Sequence, residues 1–157
     1  MRITAQSPCR ISLFGGGTDV EPFASKYGGV VLNIAINIRQ HIKIDTEEDY
    51  LDLLDMDNPE FTKAFLVTLG TYGVKHTFDG NMESGIGSSA ALAVSLMGAL
   101  NRIHGVNCTL DNTAEDAWTV EVEGLGLYGG KQDQYCSAYG GVNLMEFGKD
   151  VKVFRLP

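Results

Sequence analysis

The stretch Met82-Glu83-Ser84-Gly85-Ile86-Gly87-Ser88-Ser89-Ala90-Ala91 lies between a strand-like run and a long apolar segment. Its two glycines allow positive φ and a close approach of the backbone to an anion. The two serines open a helix, whose first N–H groups are unpaired and attract anions. No lysine follows the second glycine, so this is not a Walker loop. The pattern predicts a phosphate-binding loop at 85–90, and a tight turn with Ser88 as helix N-cap is the simpler alternative.

Outward from this loop, the chain reads as strands and helices of a single α+β domain over residues 1–157. The segment 88–103 is apolar on every side, which predicts a helix buried all round. Repeats, low-complexity tracts and linkers are absent from the sequence. Periodicity and turn residues predict strands over 2–7, 10–14, 30–38, 41–45, 74–78, 142–147 and 151–154, and helices over 18–27, 59–72, 88–103, 111–123 and 131–138.

The charge balance narrows the possible partners. Twenty Asp and Glu face twelve Lys and Arg, giving a net charge of −8, which argues against nucleic acid. The acids concentrate at 45–57, which predicts a solvated loop. The three cysteines are scattered without metal-ligand spacing, so reduced thiols and a cytoplasmic location are expected. We expect no membrane association, because the sequence shows neither a signal core nor a long apolar span.

Two further blocks share this glycine-rich character: Ser7-Pro8-Cys9-Arg10-Ile11-Ser12-Leu13-Phe14-Gly15-Gly16-Gly17-Thr18-Asp19, and Gly129-Gly130-Lys131-Gln132-Asp133-Gln134-Tyr135 with Gly140-Gly141 after it. Together with 85–91 they resemble the GHMP kinases, which include galactokinase, homoserine kinase and mevalonate kinase. The variants at 15–19 and 129–135 look most like the sugar-1-kinase branch, with its heptose 7-phosphate kinases and fucokinase-like enzymes. The resemblance covers 2–147.

The resemblance implies a fold and a domain organisation. The expected fold is that of a GHMP kinase N-terminal domain, similar to ribosomal protein domain 2. It would have a mixed sheet, helices on one side and a left-handed β-α-β crossover. Family members are longer and carry a C-terminal domain, for which these 157 residues hold no counterpart. They also usually carry prolines before the loop, where this chain has Asn81-Met82-Glu83.

Glu121 stands out by its spacing. With Ala114, Ala117 and Trp118 it occupies positions i, i+3, i+4 and i+7, so it shares the apolar stripe of its helix. An acid there is costly unless it pairs with a cation or a metal, although a frayed last turn would let it reach water. The resemblance implies a Mg²⁺ ligand at Glu121, with Ser89 as the second ligand and Ser88 as a close rival.

Asp133 opens a short helix after two glycines, a position that suits either a helix cap or a residue presented to a cleft. The resemblance implies that Asp133 is the base that accepts the proton of the substrate hydroxyl. Lys131, beside it, is expected to contact a phosphate of the substrate.

The first block offers a recognition site for a sugar. The glycines Gly15, Gly16 and Gly17 bring the backbone near a ligand, and Thr18 and Asp19 follow them. The Asp19 carboxylate can accept two hydroxyl donors, or it can cap a helix together with Thr18. The resemblance implies that Asp19 binds sugar hydroxyls and that Arg10 lies beside the transferred phosphate.

These expectations combine into one leading hypothesis. MgATP would donate its γ-phosphate to the anomeric hydroxyl of D-glycero-D-manno-heptose 7-phosphate or a related sugar, so ATP and Mg²⁺ are the expected cofactors. One rival is a non-catalytic sensor of sugars or nucleotides. The other is half of a split kinase that acts as a homodimer or with a separate C-terminal partner.

Overall fold

The computed structural model describes residues 2–45, 74–78, 85–124 and 126–157. The predicted helix at 59–72, the acidic loop beyond Asp45 and the residues Asn81–Ser84 lie outside these ranges. In chain order the described elements are β1 (Arg2–Phe14), α1 (Phe23–Tyr27), β2 (Gly29–Asp45), β3 (Val74–Phe78), α2 (Ser88–Ile103), α3 (Leu110–Thr119), a π-helical turn (Val120–Gly124), α4 (Gln132–Tyr139), β4 (Val142–Phe147) and β5 (Lys152–Leu156).

Strand β2 organises the sheet. One of its edges pairs with β1 along most of its length, and its other edge pairs with β4 at 29–34 and with β3 at 40–44. Strand β5 pairs with β4. Because β3 and β4 both run antiparallel to β2, they run in the same direction, one beyond the other along the same edge.

This arrangement differs from the predicted mixed sheet, because every pairing between described strands is antiparallel. The reason is the length of β2. Its seventeen residues hold β3 and β4 in tandem, so these two strands never lie side by side. The handedness of the crossover that joins them stays a prediction.

The helices cover one face of the sheet. The side chains of β4 alternate, with Asn143, Met145 and Phe147 buried under the helices, as expected for a strand with one covered face. Helix α2 packs against β1, β2, α3 and α4, which explains why it is apolar on every side. The predicted bounds of this helix, of β3 and of β4 are confirmed.

Three local predictions were wrong. The strands predicted at 30–38 and 41–45 form the single strand β2. The strands predicted at 2–7 and 10–14 form the single strand β1, which bends at an irregularity between Pro8 and Arg10 where β2 contributes extra residues. Helix α1 begins at Phe23 rather than at Thr18. The hydroxyl of Thr18 instead donates to the carbonyl of Gly15 at 2.8 Å and accepts from the amide of Val30 at 3.1 Å, so it closes a turn onto β2.

The opposite face of the sheet is also apolar. The strand register aligns two complete rows of apolar side chains across β1, β2, β4 and β5. The outer members of the rows, on β1 and β5, are between 43% and 73% exposed. The first row is Ile11, Ile34, Val142 and Leu156, and the second is Phe14, Leu32, Leu144 and Phe154.

Within the described ranges, no helix has the length and hydrophobicity that crossing a membrane requires.

Candidate functional site

Arg10 joins the three glycine-rich blocks. Its Nε and Nη2 donate to the two carboxylate oxygens of Asp133 at 2.6 and 2.7 Å, a paired geometry that is among the stronger hydrogen-bond arrangements. Its Nη1 donates to the carbonyl of Gly85 at 3.0 Å, and its amide donates to the carbonyl of Ile86 at 2.9 Å. The predicted base, the predicted phosphate neighbour and the predicted anion loop therefore lie together.

The glycine-rich loop ends in a left-handed residue. Gly87 is the N-cap of α2, with φ of 71° and no side-chain cap. A Cβ at this position would lie 3.3 Å from the Asp133 carboxylate, so a side chain here meets both backbone strain and crowding. The alternative in which the Ser88 hydroxyl caps the helix is therefore wrong. Ser88 is buried, whereas Ser89 is exposed.

Glu121 lies inside the protein, as its spacing predicted. It is 5% exposed and belongs to the π-helical turn that follows α3, so the frayed-end alternative is wrong. Its carboxylate accepts hydrogen bonds from Ser89 and, at 2.6 Å, from Nε2 of Gln134. Burial raises the pKa of Glu121; the two hydrogen bonds lower this pKa, and the charge of Asp133 raises it further.

The Ser89–Glu121 pair fits a divalent cation. A buried carboxylate whose charged form is disfavoured by burial is stabilised by a cation, and a serine hydroxyl beside it supplies a second oxygen ligand. The described residues contain no cluster of three or more His, Cys, Asp or Glu ligands. Such a pair suits Mg²⁺, which retains waters and takes further oxygens from phosphates.

Asp19 is equally buried, at 5% exposure, but its partners belong to the protein framework. One carboxylate oxygen accepts from the amide of Gly17 at 3.2 Å and from Nε2 of Gln132 at 3.0 Å, and the other accepts from the amide of Gln132 at 3.0 Å. Asp19 therefore caps α4, and not the helix next to Thr18. Its predicted contact with sugar hydroxyls stays a prediction.

Lys131 differs from its expected position beside Asp133. Its ammonium donates to Glu115 at 2.6 Å and lies 4.6 Å from the centre of the Trp118 ring. It lines a second cavity, of about 680 Å³, that Asp133 does not line. The backbone of Gly129 and Gly130 lines both cavities.

A cavity of about 330 Å³ is lined by six of the predicted site residues, Arg10, Asp19, Ser89, Ala90, Glu121 and Asp133, whereas the residues predicted at 15–18 and 85–88 and Lys131 do not line it. Tyr128, Gln132 and Gln134 also line this cavity. They were not among the predicted site residues, although the two glutamines flank Asp133 in the third block. Helical periodicity places the two glutamines on a different side of α4 from Asp133. It does not reveal that Gln132 contacts Asp19 and Gln134 contacts Glu121. The cavity is lined by Arg10, Asp19, Val20, Ser89, Ala90, Glu121, Val122, Leu127, Tyr128, Gly129, Gly130, Gln132, Asp133 and Gln134.

The fold is that of an α+β domain with a glycine-rich loop at the N-terminus of a buried helix. The family described as GHMP kinases N terminal domain matches residues 60–141, and the chain belongs to this family.

Several relatives resemble nearly the whole chain. It is 30% identical to a D-glycero-alpha-D-manno-heptose 7-phosphate kinase of Campylobacter jejuni, over 99% of this chain and 53% of that one. It is 27% identical to a mevalonate kinase of Thermococcus sibiricus, over 100% of this chain and 56% of that one. The crystal structure of a D-glycero-D-manno-heptose 1-phosphate kinase from Bacteriodes thetaiotaomicron superposes with a TM-score of 0.81 at 27% identity, over 100% and 60% of the two chains. The chain thus spans about half the length of these curated relatives.

Proposed function

We propose that this chain carries the nucleotide- and metal-binding half of a GHMP-type sugar kinase. The reaction would transfer the γ-phosphate of ATP to the anomeric hydroxyl of D-glycero-D-manno-heptose 7-phosphate or a related sugar. The main support is one observation: Arg10 hydrogen-bonds both Asp133 and the carbonyl of Gly85. Three blocks that are far apart in the sequence thereby meet at one cavity. The identity to the heptose 7-phosphate kinase of Campylobacter jejuni supports the choice of sugar.

Each residue has a proposed role. The amides at the start of α2 and the loop 85–90 hold the triphosphate, because a helix N-terminus favours anions. Ser89 and Glu121 hold Mg²⁺, which neutralises charge on the phosphates when bound. Asp133 accepts the proton of the attacking hydroxyl, and Arg10 fixes the orientation of its carboxylate. Asp19 and the backbone at 15–18 face the sugar.

Positioning and charge account for most of the rate enhancement in phosphoryl transfer, so the base contributes only part of it. Removing a general base costs on the order of 10²–10⁴ in rate. Asn is nearly isosteric with Asp and retains an acceptor for Arg10. Asp133→Asn therefore removes the proton acceptor, and its NH₂ group replaces the acceptor of one of the two hydrogen bonds from Arg10.

The test measures ADP release from MgATP with D-glycero-D-manno-heptose 7-phosphate, beside several free hexoses, for the wild-type chain and Asp133→Asn. The matched control is Asp150→Asn, an exposed aspartate outside this cavity. Sugar-dependent release that only Asp133→Asn abolishes supports the proposal. Equal rates for the three proteins would contradict it, and binding of ATP or sugar without turnover would favour a non-catalytic sensor.

A second candidate is half of a kinase that requires another copy or a separate C-terminal domain. Two observations favour it: the chain spans about half of its relatives, and the sheet face opposite the helices carries two rows of partly exposed apolar residues. Antiparallel sheets with one solvated face usually carry polar residues there.

Light scattering across a range of protein concentrations tests self-association of the chain. Phe14→Glu, at a side chain that is 73% exposed on this face, should abolish association, whereas Val106→Glu, at 50% exposure after α2, should preserve it. A monomer at all concentrations that is nevertheless fully active would refute this candidate.

The proposed location is the cytoplasm. It is supported by the three cysteines, which are all free of disulfides.

A further inference from the structure

Gln134 contacts the proposed metal ligand but has no role in the mechanism above. It lies one residue after Asp133 on α4, and its side chain is buried, at 5% exposure. Its Nε2 donates to an Oε2 atom of Glu121 at 2.6 Å. Its own Oε1 is buried and has no hydrogen-bond partner among the residues that the structure describes. The amide is therefore half satisfied.

The orientation of this amide follows from its partner. A carboxylate only accepts hydrogen bonds, so the NH₂ group of Gln134 must face Glu121, and a flipped amide would set two acceptors against each other. The carbonyl oxygen consequently points away from Glu121, without a donor. A buried acceptor without a donor is unfavourable, and methionine would fill nearly the same space without that penalty. What the amide supplies at this position is therefore its N–H, which donates to the Glu121 carboxylate.

We propose that Gln134 is a positioning residue for the metal site. Its N–H holds the Glu121 carboxylate beside Ser89, where the two oxygens would serve as ligands of the cation. The inference rests on the proposed function and deepens it. Asp133 and Gln134 are consecutive on the short helix α4. This helix would therefore hold both the proposed base and the residue that positions the proposed metal ligand.

The chain provides a close control. Gln132 is also buried, also has an Oε1 without a partner, and also donates from Nε2 to a buried carboxylate. That carboxylate belongs to Asp19, however, and not to Glu121. Gln132→Met and Gln134→Met therefore make the same chemical change on the same helix, and only the second reaches the proposed metal ligand.

The experiment measures ADP affinity by calorimetry for the full chain, once with Mn²⁺ and once with EDTA, and counts bound Mn²⁺ by electron paramagnetic resonance. For Gln134→Met we expect a loss of about 10–100-fold in Mn²⁺ affinity in the presence of ADP, the usual effect of removing a residue that orients a metal ligand. ADP affinity in EDTA should be unchanged. Gln132→Met should leave Mn²⁺ affinity unchanged.

The outcomes separate the inference from the proposed function. A Gln134→Met chain that keeps wild-type Mn²⁺ affinity overturns the inference alone. Equal losses with Mn²⁺ and with EDTA also overturn it, because they indicate a purely structural role. A wild-type chain without cation-dependent ADP binding overturns the proposed metal site as well. Should Gln134→Met fail to fold, Gln134→Asn retains the amide but withdraws it by one methylene, and the same selective loss is expected.

Discussion

Asp19 and Glu121 are two carboxylates with the same burial, at 5% exposure each, but with different kinds of donors. Asp19 accepts two backbone amides and one side-chain amide. Among the described residues, the side-chain carboxylate of Glu121 accepts only from the side chains of Ser89 and Gln134. Backbone donors are fixed by the fold, whereas side-chain donors can turn toward a ligand. Equal burial therefore accompanies two different arrangements: Asp19 joins two segments of the chain, and Glu121 is the proposed ligand of a cation.

The donors also explain the electrostatic difference at Glu121. Burial disfavours its charged form and raises its pKa, and two side-chain hydrogen bonds only partly offset this effect. A carboxylate held in this way is costly to the fold in the absence of a cation, as is common at sites built for a ligand. Substitutions around the two acids should therefore change stability in opposite directions.

The largest expected effect concerns the space around Asp19. A Cβ on Gly130 would lie 2.0 Å from Oδ2 of Asp19 and 2.8 Å from its carbonyl oxygen, so Gly130→Ala should destabilise the fold by about 3 kcal/mol. Gly129→Ala is the control, because nothing lies within 4 Å of its Cβ position. Urea unfolding of both variants measures the difference. Equal midpoints would show that the contact between Asp19 and α4 is not a fixed part of the fold.

The hydrogen bonds of Asp19 give the second effect. In Asp19→Asn one acceptor becomes an NH₂ donor that faces amide donors of Gly17 or Gln132, leaving buried groups unpaired. We expect a loss of about 1–3 kcal/mol in the free energy of unfolding. Asp150→Asn, at an exposed aspartate, should change it little. If Asp19→Asn leaves the free energy of unfolding unchanged, Asp19 contributes no more to the stability of the fold than Glu121 does.

Glu121→Gln should act in the opposite direction and stabilise the free chain at pH 7 by about 0.5–2 kcal/mol. The folded-state pKa of Glu121 is raised above its ordinary value of 4.5. The folded wild-type chain therefore binds the proton more tightly than the unfolded chain does, and it loses stability as pH rises above that value. Thermal unfolding should show no advantage of the variant below pH 4.5 and a growing advantage above it.

The same variant should lose the dependence of ADP affinity on Mg²⁺, because its amide replaces the proposed metal ligand. Stability and metal response would then move in opposite directions in a single protein. A Glu121→Gln chain that is less stable than the wild type at pH 7 would place Glu121 in the same structural class as Asp19.

The sequence allowed this contrast to be foreseen only in part. The spacing of Ala114, Ala117, Trp118 and Glu121 placed Glu121 on the buried stripe, and its burial is confirmed, because Glu121 lies only two residues beyond the end of α3. The spacing did not reveal the π-helical turn, since hydrogen-bond type within a helix leaves no mark on the apolar pattern. Nor did it reveal that Gln132, 113 residues away, donates to Asp19 from its backbone amide and from its side chain.

Among the fold elements too, local sequence patterns predicted some features and missed others. The bounds of α2 could be predicted because glycines precede it and apolar residues continue to its end. The length of β2 could not, because the polar residues Arg39 and Gln40 separate the predicted strands at 30–38 and 41–45, whereas β2 continues through them. The direction of the Lys131 side chain was also inaccessible to sequence, since its partners Glu115 and Trp118 come from another helix.

A third carboxylate completes the comparison with the smallest expected effect. Glu115 accepts from Lys131 at 2.6 Å and from the hydroxyl of Tyr135 at 2.7 Å, and its side chain is 38% exposed. Water can replace both partners, so Glu115→Gln should cost only about 0.2–1 kcal/mol. A double-mutant cycle with Lys131→Met measures the coupling, which should be weak and should fall with added salt. A coupling free energy above about 2 kcal/mol, or one that salt does not reduce, would contradict this prediction. It would show that burial does not determine how strongly each of the three acids affects the stability of the fold. Coupling within the expected range would leave the kind of donor as the property that separates Asp19 from Glu121.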